Sequence, residues 1–187
     1  MLHLLNLEEI EALLLKVPAL VRRFEDRDPD FIVAVNAWLR AAEEILSNNR
    51  LALASEIAVY RGALLAAERG FPGGTASTSR SGARQAKQAR AAGLLQQATD
   101  AVSAAIQPRR AQMDEAERVM LQAVAIGVRL GLIPAESGRE HTAYLQSVLQ
   151  AMLSRAELAS LLVHVTGLLG SSDTLVILDR ALSYIQQ

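Results

Sequence analysis

Arg80, Arg84, Lys87 and Arg90 follow one another at steps of 4, 3 and 3. On an α-helix that spacing gathers four cations into a broad stripe on one side. Guanidinium forks bind carboxylates and phosphates through paired donors. Gln85, Gln88, Gln96 and Gln97 add uncharged donors close by. Such a stripe can track a phosphate backbone in a salt-sensitive, sequence-independent way. It can also face an acidic patch on a partner subunit or on the chain itself, or stay solvated. No aromatic residue is interleaved with it, so nothing there stacks on bases. No helix-turn-helix, zinc-finger or RNA-binding signature accompanies it. The balance favours protein or intramolecular pairing, with nucleic acid second. Arg109 and Arg110 form a further basic point at a turn expected beside Pro108.

The charge distribution supports reading this segment separately. Residues 71–112 carry six basic side chains against the single acid Asp100, a local net of +5. The chain as a whole is −1, so the remainder is −6. Arginine dominates, with Lys16 and Lys87 the two lysines.

Other chemistry is harder to assemble. His3, His141 and His164 have no ligand-type companion at i+3 or i+4, and there is no His-Glu-x-x-His. His164 shares a helix face with Leu161 and Leu168, which suits a histidine at the edge of a core with one polar partner. The acid groups Glu8, Glu9 and Glu11, Glu43 and Glu44, and Asp114, Glu115 and Glu117 fall in first turns or on outward faces. Helix dipoles favour negative charge in first turns. Two-carboxylate hydrolysis needs acids converging across a cleft instead. The stretch GFPGGTASTSRSG at 70–82 lacks both phosphate-loop patterns. We expect no catalytic residues, no cofactor and no metal.

What must position the basic residues is a helical scaffold. Apolar residues are 51% of the chain and aromatics only 4%, so a core of Leu, Ala, Val and Ile is expected. There is no cysteine, which excludes disulfides and thiolate sites. The N-terminus carries Glu8, Glu9 and Glu11 and no basic run, unlike a signal peptide. No apolar stretch is long enough to span a bilayer. The expected location is cytoplasmic, with no membrane partner.

Leu7, Ile10, Leu14, Val17, Val21 and Phe24 recur at steps of 3 and 4, the period of a helical seam. Asn6 with Glu9 reads as a capping box. Pro18 should kink or divide this helix. Asp28-Pro29 should open a second, with Phe31, Val35, Trp38, Ala42 and Ile45 inward. A third carries Leu53, Ile57, Tyr60, Leu64 and Ala67, with Gly70 as C-cap. After the 71–82 loop, a basic Ala-rich helix should run to a break or kink at Pro108. A fifth helix then carries Met113, Met120, Ala123, Ile126, Gly127 and Leu130 inward, with Gly127 admitting a close neighbour. Ser137 with Glu140 and Ser154 with Glu157 read as further capping boxes, and Gly170 as a helix stop. Period-2 strand patterns are absent.

The expected fold is therefore all-α: an antiparallel bundle of long helices plus a cluster of short C-terminal helices. The expected division is a heptad-patterned part at 1–70, a flexible loop at 71–82, and a basic helix with a C-terminal helical part at 83–187, the parts packed as one domain. The expected function is a non-catalytic scaffold or adaptor subunit of a larger complex, contacting protein partners through helix faces. Arg80, Arg84, Lys87, Arg90, Arg109 and Arg110 would make the contact, and a homo-oligomer is compatible with this. The alternative is a small subunit that holds a DNA or RNA phosphate backbone without sequence specificity.

Overall fold

Pro18 divides the first predicted helix in two: α1 (Leu4–Leu14) and α2 (Val17–Glu25). The computed structural model describes residues 2–69, 80–134 and 140–185, apart from the side chains of Arg80 and Ser81. Pro18 falls in the first turn of α2. An N–H there has no intrahelical acceptor, so proline costs nothing and starts a helix rather than kinking one. The break resets the helical phase. Leu4, Leu7, Ile10, Leu13 and Leu20 are buried, whereas Val21 and Phe24, expected inward, are exposed. Phe24 instead lays its ring 5.3 Å from that of Phe31. Asn6 lies inside α1, so the expected capping box is not formed.

Helix α3 (Phe31–Asn48) starts two residues later than Asp28-Pro29 implied. The Asp28 carboxylate accepts from the Asp30 amide at 2.8 Å, which makes a turn ahead of the helix. Phe31, Val35, Trp38, Leu39, Ala42 and Leu46 are buried along it. Helix α4 (Leu53–Glu68) buries Ile57 and Leu64. α3 packs on α1, α2 and α4. The Arg61 Nε donates to Glu43 Oε2 at 2.6 Å, joining α4 to α3.

Two of these helices close in the same way. After α2, Asp28 N–H donates to the Arg23 carbonyl and Arg27 N–H to Phe24, with Arg27 at φ 55°. After α3, Leu51 N–H donates to Leu46 and Arg50 N–H to Ser47, with Arg50 at φ 55°. This is the Schellman closure, which satisfies the last carbonyls through one left-handed residue. Gly131, at φ 66°, closes the next long helix by the same pair of bonds.

That helix, α5 (Arg80–Arg129), runs for 50 residues and contains Pro108. The expected break at Pro108 does not occur. Proline removes one donor and crowds the carbonyl four residues back, a cost of about 3 kcal/mol, and its ring is exposed. The buried positions Ala91, Leu95, Ala98, Val102, Ile106, Arg109, Met113, Ala116, Met120 and Ala123 keep steps of 3 and 4 on both sides of it. Among the described residues, those from 4 to 107, with Leu2, form one compact unit, and those from 108 to 185, with His3, form another. The loop expected to separate two parts, 71–82, lies largely outside the described residues, as does Ser137.

In the C-terminal unit, α6 (His141–Leu153), α7 (Ala156–Leu169) and α8 (Ser171–Ile185) each pack against the other two. Gly170, at φ 83°, ends α7 as expected. Ser154 does not cap α7: its hydroxyl donates back to Ala151, and Arg155 occupies the cap position. A Cβ built on Gly127 meets Met152 at 3.6 Å, an ordinary contact, so the glycine is not needed for close approach. Leu130 is exposed. The chain is all-helical among the described residues, with no strand.

Candidate interaction surface

The register of α5 decides where its cations go. Arg84, Lys87 and Gln88 precede Ala91 by 7, 4 and 3 residues, which places them in line with the buried seam. Each reaches a backbone carbonyl of the same unit, two in the turn between α2 and α3 and one at the end of α4. Arg84 Nη2 donates to the Arg27 carbonyl at 3.4 Å. Lys87 Nζ donates to the Glu68 carbonyl, the last residue of α4, at 2.8 Å. Gln88 Nε2 donates to the Asp28 carbonyl at 3.0 Å. The end of α4 carries unsatisfied carbonyls and partial negative charge, which favours a cation at Glu68, while Arg27 and Asp28 offer turn carbonyls with a lone pair to spare. Arg84 is exposed, Lys87 half-buried and Gln88 buried.

Arg90 is exposed and sits off the seam. The side chain of Arg80 lies outside the described residues. The first four cations therefore do not act alike, and two of them hold the chain's own backbone.

Arg109 and Arg110 part company as well. Arg110 is exposed, and Arg109 is buried in the C-terminal unit. Arg109 Nη2 lies 3.2 Å from Asp173 Oδ2, and its Nη1 donates to the Leu168 carbonyl at 2.7 Å and to Gln112 at 3.2 Å. The guanidinium thus sits between the negative end of α7 and an acid in the first turn of α8. His3 Nδ1 lies 3.5 Å from the other Asp173 oxygen. Asp173 was legible in the sequence only as a helix-start residue. The signal for Arg109 was its place in step with Val102, Ile106 and Met113.

Several other titratable groups are in surface pairs. His141 Nε2 is 2.9 Å from Asp179 Oδ1, joining α6 to α8. His164, expected at a core edge, is exposed. Arg118 makes two bonds to Glu115 and holds its carboxyl below the ordinary carboxylate range. The phenol of Tyr60 donates to Glu56, which pushes its pKa above the usual tyrosine value.

Surface hollows are modest. One of about 430 Å³ lies between α6, α7 and α8, with Leu149, Leu153, Thr166 and Leu175 in its lining. Another of about 190 Å³ lies between α5 and α8, where Glu117 and Arg180 flank Leu121, Ala181 and Tyr184. No cluster of three or more metal-ligating side chains occurs among the described residues. No helix among them is long and apolar enough to cross a membrane.

The class that the elements define is all-helical. Beyond the class, no protein-family model, no curated protein and no solved structure matches the chain.

Proposed function

We propose that this chain is a non-catalytic helical scaffold or adaptor subunit of a larger cytoplasmic complex. In this reading the N-terminal unit is an antiparallel bundle, and the C-terminal unit is a cluster of shorter helices. Partners are protein subunits, met through outward helix faces. The observation that carries the reading is the state of Arg90 and Arg110. Both are exposed on α5, a helix whose inner positions, Ala91 to Ile106 and Met113 to Ala123, are buried. A packed helix fixes the backbone from which each side chain projects, so a partner orders the arginine rotamers but not the main chain on binding. Arg84 and Lys87 hold backbone carbonyls of the N-terminal unit, and Arg109 holds Asp173 and the end of α7.

The test is co-purification of the full chain against Arg90→Glu/Arg110→Glu. The variant should stay folded by circular dichroism and lose its protein partners. Retention of every partner would sink the reading. The absorbance ratio at 260 and 280 nm is read before and after a high-salt wash of the same preparations. A high ratio that falls on washing, and is absent in the variant, would replace the protein partner with a nucleic-acid backbone.

A further inference from the structure

Within the described part of α5 ahead of Ala91, Gln88 is the one buried side chain between 82 and 90. From Ala91 onward the helix is anchored by apolar burial at Ala91, Leu94, Leu95, Ala98, Val102 and Ile106. Its first turns make a different kind of contact. Arg84 and Gln88 donate to the carbonyls of consecutive residues, Arg27 and Asp28, where α2 closes, and Lys87 donates to Glu68, where α4 ends. Arg27 holds the left-handed conformation at φ 55°. The same closure at Arg50 forms from its own two backbone bonds, so the α5 donors add to a turn that already stands without them.

We propose that residues 82–90 of α5 are a polar latch, fastened by Arg84, Lys87 and Gln88 across the α2–α3 turn and the end of α4, that opens without unfolding the rest of the unit. Apolar burial is lost only when a core opens, whereas cation-to-carbonyl contacts at a half-exposed surface are weak and salt-screened. The latch is therefore the lowest-energy opening of this helix. On the reading of the basic residues as a contact surface, it is also regulatory. Arg84 and Lys87 are committed to the chain's own carbonyls while the latch is closed, and a partner that captures them must open it. The latch itself exists in the isolated chain and is tested there, so it can fail or stand whatever the outcome with partners.

The experiment is amide hydrogen exchange of the full chain, read by mass spectrometry. In Arg84→Gln/Lys87→Gln, amides at 84–92 should exchange roughly tenfold faster, the loss expected from two cation-to-carbonyl contacts, while those at 94–106 keep their wild-type protection. Lys87→Arg, which keeps the cation, and Arg90→Gln, which leaves all three bonds in place, should both exchange as wild type. Unchanged exchange at 84–92 in the double variant would overturn the latch, as would equal loss across 94–106. The wild-type chain provides an arm that needs no substitution. Raising salt from about 0.05 to about 0.5 M should speed exchange at 84–92 alone, because the screening length shrinks severalfold. Salt-insensitive exchange there would also overturn it.

Discussion

Arg109 and Asp173 form a buried ion pair across 64 residues of sequence, with the side chains 3.2 Å apart and the residues only 8% and 5% exposed. Two charges brought out of water in this way need every remaining donor and acceptor engaged. The Leu168 carbonyl and Gln112 engage the Nη1 donors of Arg109. Asp173→Asn keeps the shape but leaves a buried guanidinium without its counter-charge. Such a change costs about 3–5 kcal/mol, read as a lower midpoint in urea. The double variant Arg109→Met/Asp173→Leu should recover most of that loss, because it removes both charges together. A double variant no more stable than Asp173→Asn would show that the pair is not the source of the cost.

Arg50 closes α3 in a conformation that glycine adopts without strain. Its side chain is exposed, so substitution removes no buried contact. Arg50→Gly should stabilise the chain by about 0.5–1 kcal/mol, the left-handed penalty less part of glycine's own entropy cost. Thermal unfolding checks it, with Arg50→Ala as the comparison that keeps the strain.

Trp38 Nε1 donates to the Leu13 carbonyl at 2.9 Å, beside the break between α1 and α2. The same carbonyl accepts from the Lys16 amide at 3.1 Å, so it keeps one partner without the indole. Trp38→Phe should therefore cost about 2 kcal/mol, from one hydrogen bond and the lost ring volume. As the single Trp of the chain, Trp38 should emit at short wavelength when folded and shift red on unfolding. Solvent-like emission from the native chain would contradict the burial.

The Tyr60 phenol is hydrogen-bonded to Glu56, whose charge also opposes formation of the phenolate. Its pKa is raised in the folded chain, while an unfolded tyrosine titrates near about 10. The folded state therefore holds the proton longer. The contribution is fully present below the unfolded value and is lost as pH rises through the folded one. Ultraviolet titration of the phenolate should show one component above the ordinary range, absent in Tyr60→Phe. In Glu56→Gln that component should move back toward the ordinary value.

Local chemistry carried a good part of the fold. Steps of 3 and 4 among apolar residues mark the helices, because a period of 3.6 leaves one face to bury. Phe31, Val35, Trp38 and Ala42 are inward as that period requires. Pro18 lies in the first turn of a new helix, and Gly170 ends one, where proline's fixed φ and glycine's freedom at positive φ are favoured. Phase was less legible: the turn at Leu15 and Lys16 rotates α2, so Leu20 is buried in place of Val21.

The cations were settled in tertiary structure. Arg84, Lys87 and Arg109 are separated by 57, 19 and 64 residues from Arg27, Glu68 and Asp173. No local pattern encodes which helix end will lie under a side chain, and a polar residue in step with an apolar seam looks like a solvated stripe until those ends are placed. The same holds for Pro108. Its residue type predicts a break, yet a missing donor and a crowded carbonyl at an exposed position did not outweigh the seam packed on either side of it.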